Sequence, residues 1–437
     1  MIGISDLYEK YIDCNYNVST DTREIISNSL FICLKGVNYD ANLFADKAAA
    51  AGAKYVVTDN PKWQGNQFLL VEDSNKILGD LAKYHSNKVS CEFIAIGGSN
   101  GKTTTKEILS LILSKKYNTI HTYGNFNNHI GVPLTLLRIK PQTDIAIIEL
   151  GTNHPGEMDY ICQLFPYKYG ILTNIGKEHL EGFGDIENIA KEESVLYQYL
   201  IQNCGFAVIN KDDMWLNSMS KRIANKITYG LSHTADINVV LENEMPNLVF
   251  SFDNKKYATT ELGGDFNAYN LLAASIMATK FGFSLNESLE IGCSYSSTNN
   301  RSQWIEVNNK MILLDAYNAN PSSVVAGLKS FAKLQGTKAI LLGDMLELGE
   351  FENQEHLDIF NLASTLDFDE LHLVGPIFNR VAKNFPYRYE NIESLLAWLD
   401  THPINADYTY IKGSRGIKME KAIDHYGLNP KDVIKII

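Results

Sequence analysis

The chain has 437 residues, of which 45% are hydrophobic, and a formal net charge of −12. This length exceeds what one ordinary core can bury and predicts two or three domains, while the apolar fraction argues against extensive disorder. The negative charge argues against a nucleic acid as the main partner, because nucleic acids bind basic faces, but a small nucleotide needs only backbone N–H groups and one lysine.

The cysteines and the N-terminal sequence indicate the compartment. No two of the six cysteines form a CxxC pair, which is typical of reduced cytosolic thiols rather than of a disulfide framework or zinc site. The start, MIGISDLYEKYID, lacks the basic-then-apolar layout of a signal peptide. No apolar run approaches the roughly 18 residues of a membrane span. We therefore expect a cytoplasmic protein without membrane insertion. Separately, we expect a monomer.

The first predicted domain covers residues 1–86. It mixes strand-like runs at 30–34, 55–58 and 68–71 with an Ala-rich helical run around 45–51. Short strands beside a helix predict a small α/β domain.

The second predicted domain, 87–300, begins where the pattern changes. In chain order, its sequence predicts a strand at 92–96, a helix at 103–116, and strands at 145–150, 170–175 and 206–209. Strands separated by helical stretches indicate βαβ units and a mostly parallel sheet.

The third predicted domain, 301–437, starts a second α/β series. Pro321 is favoured at the first position of a helix, with Asn320 as its cap. The strands of this domain are predicted at 311–315, 339–342, 371–374 and 408–412.

The segment IAIGGSNGKTTT, at 94–105, is the sharpest local signal. A buried strand runs into a glycine-rich turn, and such turns let backbone N–H groups approach phosphate oxygens. Lys102 would hold the β- and γ-phosphates, and the Thr103 hydroxyl would bind Mg²⁺. The strict Walker spacing is absent, because Ile96 stands where it requires glycine, and the spacing is GxxGKT from Gly98. An ordinary turn with a solvated lysine is the alternative, and a kinase, a GTPase, a transporter ATPase and a ligase all stay open.

Further blocks carry a family resemblance. In chain order they are GGSNGKTTT (97–105), GNFNNHIGVP (124–133), IELGTNHPGE (148–157), NIGKEHLEGFG (174–184), DAYNANP (315–321), GDMLELG (343–349) and KGSR (412–415). Together they resemble the Mur ligases, in the branch that adds D-alanyl-D-alanine, although Gly97 stands where the family usually has threonine.

The resemblance implies an α/β fold of three domains: a smaller N-terminal UDP-substrate domain, a central P-loop ATPase-type domain and a C-terminal Rossmann-like domain. It implies ATP and Mg²⁺ as cofactors, with UDP-MurNAc-tripeptide and D-alanyl-D-alanine as substrates. The carboxylate would be activated as an acyl phosphate, so positioning and charge neutralisation would dominate catalysis. The alternatives are another amino-acid ligase of the superfamily and a nucleotide-binding regulator without catalysis.

The resemblance also implies residue roles. The catalytic residues would be Lys102, Glu149 and His179, and the Mg²⁺ ligands Thr103, Glu149 and His179. Glu193 joins both sets on a hypothesis of our own, given below. The nucleotide would contact Gly98, Ser99, Asn100, Gly101, Lys102, Thr103, Thr104, Asn267, Asn270, Arg301 and Asp315. The substrates would contact Asp21, Thr22, Arg23, Lys35, Asn127, Asn128, Asn318, Asn320, Lys412, Ser414 and Arg415.

Several of these residues have plainer interpretations. Glu149 could be a capping or ion-paired glutamate, although a lone carboxylate at the end of an apolar strand is costly without a cation. His179 could be a packed histidine, and Arg415 a solvated charge at a helix start. Asn127 and Asn128 could be turn residues.

Besides Gly97, position 193 departs from the family. Mur ligases usually carry a carbamylated lysine whose carbamate helps to bind Mg²⁺, and Glu193 falls on that position when the helix is aligned without gaps. We expect Glu193 to supply the negative oxygen ligand directly. The alternatives are a one-turn shift that lets Lys191 serve, and a helix face that is merely solvated.

Overall fold

The computed structural model describes residues 1–232, 234–297 and 300–426. Three larger sheets follow one another along the chain, and the fold is α/β as predicted. Within these ranges no helix combines the length and apolarity that a membrane crossing requires. All six cysteines are free, and only Cys204 is exposed, while Cys91 is half-buried.

The N-terminal part forms a four-stranded parallel sheet in the order β1-β2-β5-β6. Its elements are α1 (Ile4–Asp13), β1 (Val18–Ser19), β2 (Leu30–Ile32), β3 (Lys35–Gly36), β4 (Tyr39–Asp40), α2 (Ala45–Ala50), β5 (Tyr55–Thr58), β6 (Phe68–Leu70) and α3 (Ser74–Ser86). Helix α1 buries Leu7 and Tyr11, four residues apart on one face. The Tyr11 hydroxyl donates to the Leu137 carbonyl at 2.6 Å and so attaches this part to the next.

The central part has a seven-stranded parallel sheet, in the order β13-β12-β11-β10-β7-β9-β8. Its elements up to residue 202 are β7 (Glu92–Gly97), α4 (Lys102–Leu113), β8 (Thr119–His121), α5 (Gly131–Leu136), β9 (Ile145–Glu149), α6 (Glu157–Cys162), β10 (Tyr169–Leu172), α7 (Leu180–Phe183) and α8 (Ile186–Gln202). The elements that follow are β11 (Phe206–Asn210), α9 (Met214–Met219), β12 (Asn225–Gly230), β13 (Ile237–Asn238), β14 (Val240–Asn243), β15 (Val249–Phe252), β16 (Lys255–Ala258), α10 (Asp265–Ala278) and α11 (Leu285–Cys293).

Strand β7 shows why its sequence is a continuous apolar run. Ile94 and Ile96 pack in the core that contains α4 and α10, while Ala95 packs in the core on the other face. Parallel strands covered on both faces need apolar residues at every position.

Two central elements are shorter than predicted, and one sheet was not predicted. The helix predicted to reach residue 116 ends at Leu113, because the N–H groups of Lys115 and Lys116 bond to carbonyls three residues back. The strand predicted to reach 175 ends at Leu172, because the following residues fold over the phosphate loop. The antiparallel sheet of β14, β15 and β16 was not predicted, because its two outer strands are largely exposed and mix apolar residues with Glu242, Asn243, Lys255 and Lys256.

The C-terminal part contains a six-stranded sheet in the order β17-β18-β22-β19-β20-β21, parallel except for β17. Its elements are β17 (Gln303–Val307), β18 (Lys310–Asp315), α12 (Pro321–Ala332), β19 (Lys338–Gly343), α13 (Glu352–Thr365), β20 (Glu370–Val374), α14 (Pro376–Val381), β21 (Arg388–Tyr389), α15 (Ile392–Leu399) and β22 (Tyr408–Lys412). The predicted start of α12 is confirmed: the helix begins at Pro321, and its cap Asn320 forms a reciprocal capping box with Ser323.

Candidate active site

A cleft of about 610 Å³ opens between the central and C-terminal parts. It lies at the carboxyl ends of β7 and β9 on one side and of β18 and β22 on the other. Ligands of open α/β sheets bind at this end of the strands. The cleft brings together the predicted residues Ser99, Asn100, Gly101, Lys102, Thr103, Thr104, Asn127, Asn128, Glu149, His179, Asn267, Asn270, Arg301, Asp315, Asn318, Asn320 and Lys412.

The phosphate loop joins β7 to α4 in the geometry that its sequence predicts. Gly98 and Gly101 have φ values of 106° and 85°, a left-handed region that favours glycine. A Cβ at Gly101 would lie 2.2 Å from Oδ1 of Asn270, so α10 closes against the loop. The first backbone N–H groups of α4 face the cleft and can receive phosphate oxygens.

Lys102 is the cation of this loop. Its Nζ donates to the carbonyls of Gly98 at 2.5 Å and Ser99 at 3.1 Å, and lies 3.5 Å from Oε2 of Glu178. Burial disfavours the charged form of Lys102 and lowers its pKa. The nearby carboxylates, of which Glu178 has the largest effect, outweigh burial and raise the pKa of Lys102 overall. The lysine is therefore charged and available to phosphates.

Glu149 ends β9 and is 1% exposed. Its Oε1 accepts hydrogen bonds from Thr103 Oγ1 at 3.1 Å and from Asn127 Nδ2 at 2.9 Å. Burial raises the pKa of the Glu149 carboxyl. Its positively charged neighbours, of which Lys106 has the largest effect, outweigh burial and lower the pKa overall. Glu149 is therefore an ionised carboxylate next to the threonine that was predicted to bind Mg²⁺.

His179 lies where the two parts meet. Its Nδ1 is 2.6 Å from Oε2 of Glu347 in the C-terminal part, and its Nε2 is 3.7 Å from Oε2 of Glu178. Burial lowers the pKa of His179, but the two carboxylates outweigh it and raise the pKa overall. His179 and Glu347 both have left-handed backbones, with φ of 47° and 64°. The Glu347 carbonyl also accepts from the N–H of Glu181 at 3.1 Å, which fixes the two loops to each other.

Glu193 lies beneath the phosphate loop and outside the residues that line the cleft. Its Oε2 accepts the N–H of Gly98 at 2.8 Å, and a Cβ at residue 97 would lie only 2.9 Å from that oxygen. The two departures from the family, Gly97 and Glu193, are therefore in contact, and the carboxylate occupies space that a side chain at 97 would need. Burial raises the pKa of Glu193 to about 7, with Lys102 opposing the shift.

The residues predicted for adenine and the nucleotide approach from several elements. The Asn270 amide donates to Oδ1 of Asn267 at 2.9 Å. Asp315 accepts from Lys412 Nζ at 2.6 Å, and the guanidinium of Arg301 stacks 3.7 Å from the centre of the Tyr317 ring. Lys412, which is buried, and Asp315, which is half-buried, thus form an ion pair at the ends of neighbouring strands.

The other predicted substrate residues are distributed more widely. Asn320 donates to Oδ1 of Asn100 in the phosphate loop at 2.8 Å. Oδ1 of Asn128 accepts the N–H of Gly131 at 2.9 Å, as a turn residue does. Ser414 is buried and accepts the N–H of Leu346 at 2.9 Å, whereas Arg415 is exposed.

The structure does not bring the predicted N-terminal substrate residues into the cleft. Asp21 and Arg23 form an exposed ion pair of 2.6 Å, and Thr22 lies between them in the sequence. Lys35 pairs with Asp59, also at 2.6 Å. Their assignment to the UDP end of a substrate stays a prediction.

The residues at the cleft that were not predicted from the sequence include Glu178, Glu347 and Lys106. Glu178 and Glu347 line the cleft, and both lie inside blocks that carried the family resemblance, so a signal was present. Lys106 lies one helical turn after Lys102 and is 3.4 Å from Oε2 of Glu149. The sequence around Lys106 does not show that its side chain is buried.

The donor set fits a divalent cation that completes its coordination with phosphate and water. Oε1 of Glu149 lies beside the Thr103 hydroxyl, and Oε2 is buried, accepts no hydrogen bond from the described residues and lies 3.4 Å from Lys106 Nζ. In the part of the chain that the structure describes, no three His, Cys, Asp or Glu side chains converge into a metal cage. Mg²⁺ is commonly held in this open way, by one or two carboxylates plus substrate phosphates.

Family models match most of the chain. Residues 96–278 match the Mur ligase middle domain. Residues 300–434 match the Mur ligase, glutamate ligase domain.

Similar proteins cover nearly the full length. The UDP-N-acetylmuramoyl-tripeptide–D-alanyl-D-alanine ligase of Escherichia coli is 32% identical, over 93% of this chain and 92% of the relative. The ligase of the same name from Haemophilus influenzae is 33% identical, over 96% of this chain and 94% of the relative. Among solved structures, MurF from Acinetobacter baumannii superposes with a TM-score of 0.84 at 27% identity, covering 94% of this chain and 93% of that one.

Proposed function

The chain belongs to the Mur ligase family, and from this premise we propose that it joins D-alanyl-D-alanine to UDP-N-acetylmuramoyl-tripeptide with the hydrolysis of ATP. The product would be UDP-N-acetylmuramoyl-pentapeptide, with ADP and phosphate, in peptidoglycan precursor synthesis. The observation that carries this proposal is the single cleft that gathers the phosphate loop, Glu149 and the polar residues of the C-terminal part.

The reaction has two steps in this proposal. A carboxylate oxygen of the tripeptide attacks the γ-phosphorus of ATP, the bond to the β-γ bridging oxygen breaks, and ADP leaves. The amine of D-alanyl-D-alanine then attacks the acyl carbon, loses a proton, and displaces inorganic phosphate. Activation is required because a carboxylate is a poor electrophile, and positioning supplies most of the catalysis.

The chain's residues divide between the two substrates. Lys102 and the first N–H groups of α4 would hold the phosphates, while Asn267 and Asn270 would contact the adenine side. Lys412, Asn318 and Asn320 would hold the peptide carboxylate and the dipeptide, opposite the phosphate loop. The Asn100–Asn320 hydrogen bond brings these two groups of residues together.

Mg²⁺ is part of the proposal. Thr103, Glu149 and His179 would hold it, with phosphate oxygens completing the coordination. When bound, the cation neutralises charge on the phosphates.

The test measures ADP release by the purified chain with UDP-N-acetylmuramoyl-tripeptide and Mg²⁺, with and without D-alanyl-D-alanine, and records product masses. We expect ADP release that requires both substrates, and a pentapeptide product. Tripeptides carrying diaminopimelate and lysine are both tried. Turnover with a different amino acid would indicate another ligase of the family, and no turnover at all would indicate a nucleotide-binding regulator.

A further inference from the structure

Tyr317, in the loop after β18, lines the cleft and contacts two arginines. The guanidinium carbon of Arg301 lies 3.7 Å from the centre of its ring, and that of Arg415 lies 5.6 Å from it. The face of an aromatic ring carries partial negative charge and attracts a cation within about 6 Å of its centre. Arg301 makes the shorter contact and, unlike Arg415, lines the cleft. The ring of Tyr317 is therefore placed to act on Arg301.

Hydrogen bonds on both sides of Arg301 hold its backbone beside this ring. The Tyr317 N–H donates to the Asn300 carbonyl at 3.2 Å, and the Ser302 N–H donates to Oδ1 of Asp315 at 3.0 Å. Asn300 and Ser302 both have left-handed backbones, with φ of 56° and 47°. Such a backbone is uncommon outside glycine and persists where the surrounding contacts fix it. Both neighbours of Arg301 are thus attached to the loop that carries Tyr317.

The charge of Arg301 reaches the proposed phosphate site. Burial raises the pKa of Glu149, whereas positive charges lower it overall, Lys106 most and Arg301 next. Glu149 accepts a hydrogen bond from Thr103, in the first turn of α4, where the phosphates are proposed to bind. A guanidinium that acts on Glu149 is therefore close enough to act on the charge of the phosphates.

Stacking on the ring leaves the donors of Arg301 available to a phosphate. A guanidinium is planar, and its five N–H donors point outward in that plane. A ring on its face holds the group without using these donors, whereas a carboxylate partner would occupy two of them. The ring also restricts the rotamers of a long side chain, which reduces the entropy lost when a phosphate binds.

We propose that Tyr317 is a positioning residue, whose ring holds the guanidinium of Arg301 in the orientation that binds the ATP phosphates. The ring acts through Arg301, and the Tyr317 hydroxyl has no part in this role. The proposal rests on the proposed function, since it requires ATP in the cleft.

The test is a double-mutant cycle on kcat/KM for ATP, measured with the full chain in the ligase assay. We expect Tyr317→Leu to lower kcat/KM by about tenfold, because the cation–π contact is lost. Tyr317→Phe keeps the ring and should stay within about threefold of wild type. In Arg301→Ala, which lacks the group that the ring holds, Tyr317→Leu should cause a further loss of no more than about twofold. Tyr387→Leu, which changes an exposed tyrosine of the C-terminal part outside the cleft, is the matched control and should leave kcat/KM unchanged.

Three results would overturn the proposal. Equal losses from Tyr317→Leu in wild type and in Arg301→Ala would show that the ring acts by another route. A Tyr317→Phe protein as impaired as Tyr317→Leu would assign the effect to the hydroxyl. A change confined to the KM for D-alanyl-D-alanine would place the ring with Arg415 and the dipeptide. Thermal melting of each variant confirms folding.

Failure of the proposed function is measured separately. If wild type releases no ADP with both substrates, that function fails, and calorimetric titration with Mg²⁺ and the β,γ-methylene analogue of ATP supplies the cycle instead. Tyr317→Leu should then weaken binding about tenfold in wild type and no more than about twofold in Arg301→Ala. Equal weakening in both backgrounds, or no binding by wild type, would overturn the role of Tyr317 as well.

Discussion

Lys106 is the residue that makes the buried charge of Glu149 tolerable. Its side chain is 1% exposed, its Nζ donates to the Thr122 carbonyl at 2.8 Å, and it lies 3.4 Å from Oε2 of Glu149. Thr122 Oγ1 in turn accepts the Glu149 N–H at 2.9 Å. This ion pair is a positioning device: it keeps Glu149 ionised and aimed at the Thr103 hydroxyl.

Replacing Lys106 with methionine should destabilise the chain strongly, because it leaves Glu149 buried without its nearest cation. Removing one partner of a buried pair costs about 3–5 kcal/mol. Urea unfolding of the full chain measures the loss. The Lys106→Met/Glu149→Gln double variant should recover much of it, so a loss equal to the sum of the two single variants would contradict the pairing.

The control for this measurement is Lys115→Met. Lys115 is exposed just beyond the end of α4, so its loss should change the free energy of unfolding by no more than about 0.5 kcal/mol.

At the scale of single residues, the sequence predicts those whose chemistry is written in a motif. Lys102 and Thr103 follow from the strand, loop and helix around them, and both line the cleft. The partners are harder to predict, because Lys106 meets Glu149 only after α4 packs beside β9. Spacing along one helix cannot show that contact.

Among the elements, the 343–349 loop is held in place by one buried histidine. His356 in α13 accepts the Met345 N–H on Nε2 at 2.9 Å, and its Nδ1 is 2.7 Å from the Glu352 carbonyl. One nitrogen accepts and the other donates, which requires the neutral ring. Burial lowers the pKa of His356 to about 4. The loop that carries Glu347 therefore depends on a histidine that must stay unprotonated.

The stability that the neutral His356 ring contributes should be lost as the pH falls from about 6.5 toward 4. The unfolded His356 binds a proton near pH 6.5, whereas the folded one does so only near pH 4. The unfolded state therefore binds more protons between these values, which costs the fold up to about 3 kcal/mol at the acid end. Unfolding of wild type and His356→Gln is compared from pH 8 to pH 4.

The variant should be less stable at pH 8, because it loses ring contacts, but its stability should fall less steeply with acid. Burial raises the pKa of Asp344 to about 6 and that of Glu193 to about 7, so the protonation of these carboxyls favours the folded state as the pH falls. This effect opposes that of His356 and is present in both proteins. Parallel pH curves for the two proteins would show that His356 does not set the slope.

Elements were predictable in proportion to how completely they are buried. Strands β9 and β19, buried at every position, were predicted within a residue or two of their observed ends. The antiparallel β14–β16 sheet was missed, since its exposed strands carry residues such as Lys255 and Lys256 that a loop carries equally well. The sequence also does not predict where a strand ends when tertiary contacts end it, as they do for β10 at Leu172.

In the whole molecule, polar contacts of the loop at 177–179 connect the central part to the C-terminal part. Lys177 forms an ion pair of 2.5 Å with Glu355, and its N–H donates to Ser322 Oγ at 2.8 Å. The His179–Glu347 contact belongs to the same set. A ligand for the proposed cation is therefore oriented by a residue from the other part of the molecule.

Glu347→Ala should lower kcat by about 10–100-fold, the usual loss when the partner of a metal-binding histidine is removed. Glu347→Gln can still accept from His179 and should lose less. Steady-state kcat and the KM for ATP are measured for both, with Glu350→Ala, an exposed glutamate just after this loop, as the control. Equal kcat in Glu347→Ala and the control would contradict the coupling between the two parts.

The sequence predicts a cleft between two α/β parts, because the phosphate loop lies in one part and the DAYNANP and KGSR blocks lie in the other. The residues at 21–23 and 35 show the limit of such reasoning, because the structure leaves them outside the cleft. The position of the N-terminal part relative to the central part depends on contacts between them, such as the hydrogen bond from Tyr11 to Leu137. No short sequence pattern encodes such contacts.

The distribution of thiols gives a means of observing domain movement. Cys204 is exposed at the end of α8, Cys91 is half-buried, and the other four cysteines are buried. With Cys91 changed to serine, a maleimide dye should attach at Cys204, and a second dye could be placed at an introduced cysteine in the C-terminal part. Energy transfer between the dyes would then follow the width of the cleft during turnover, one molecule at a time.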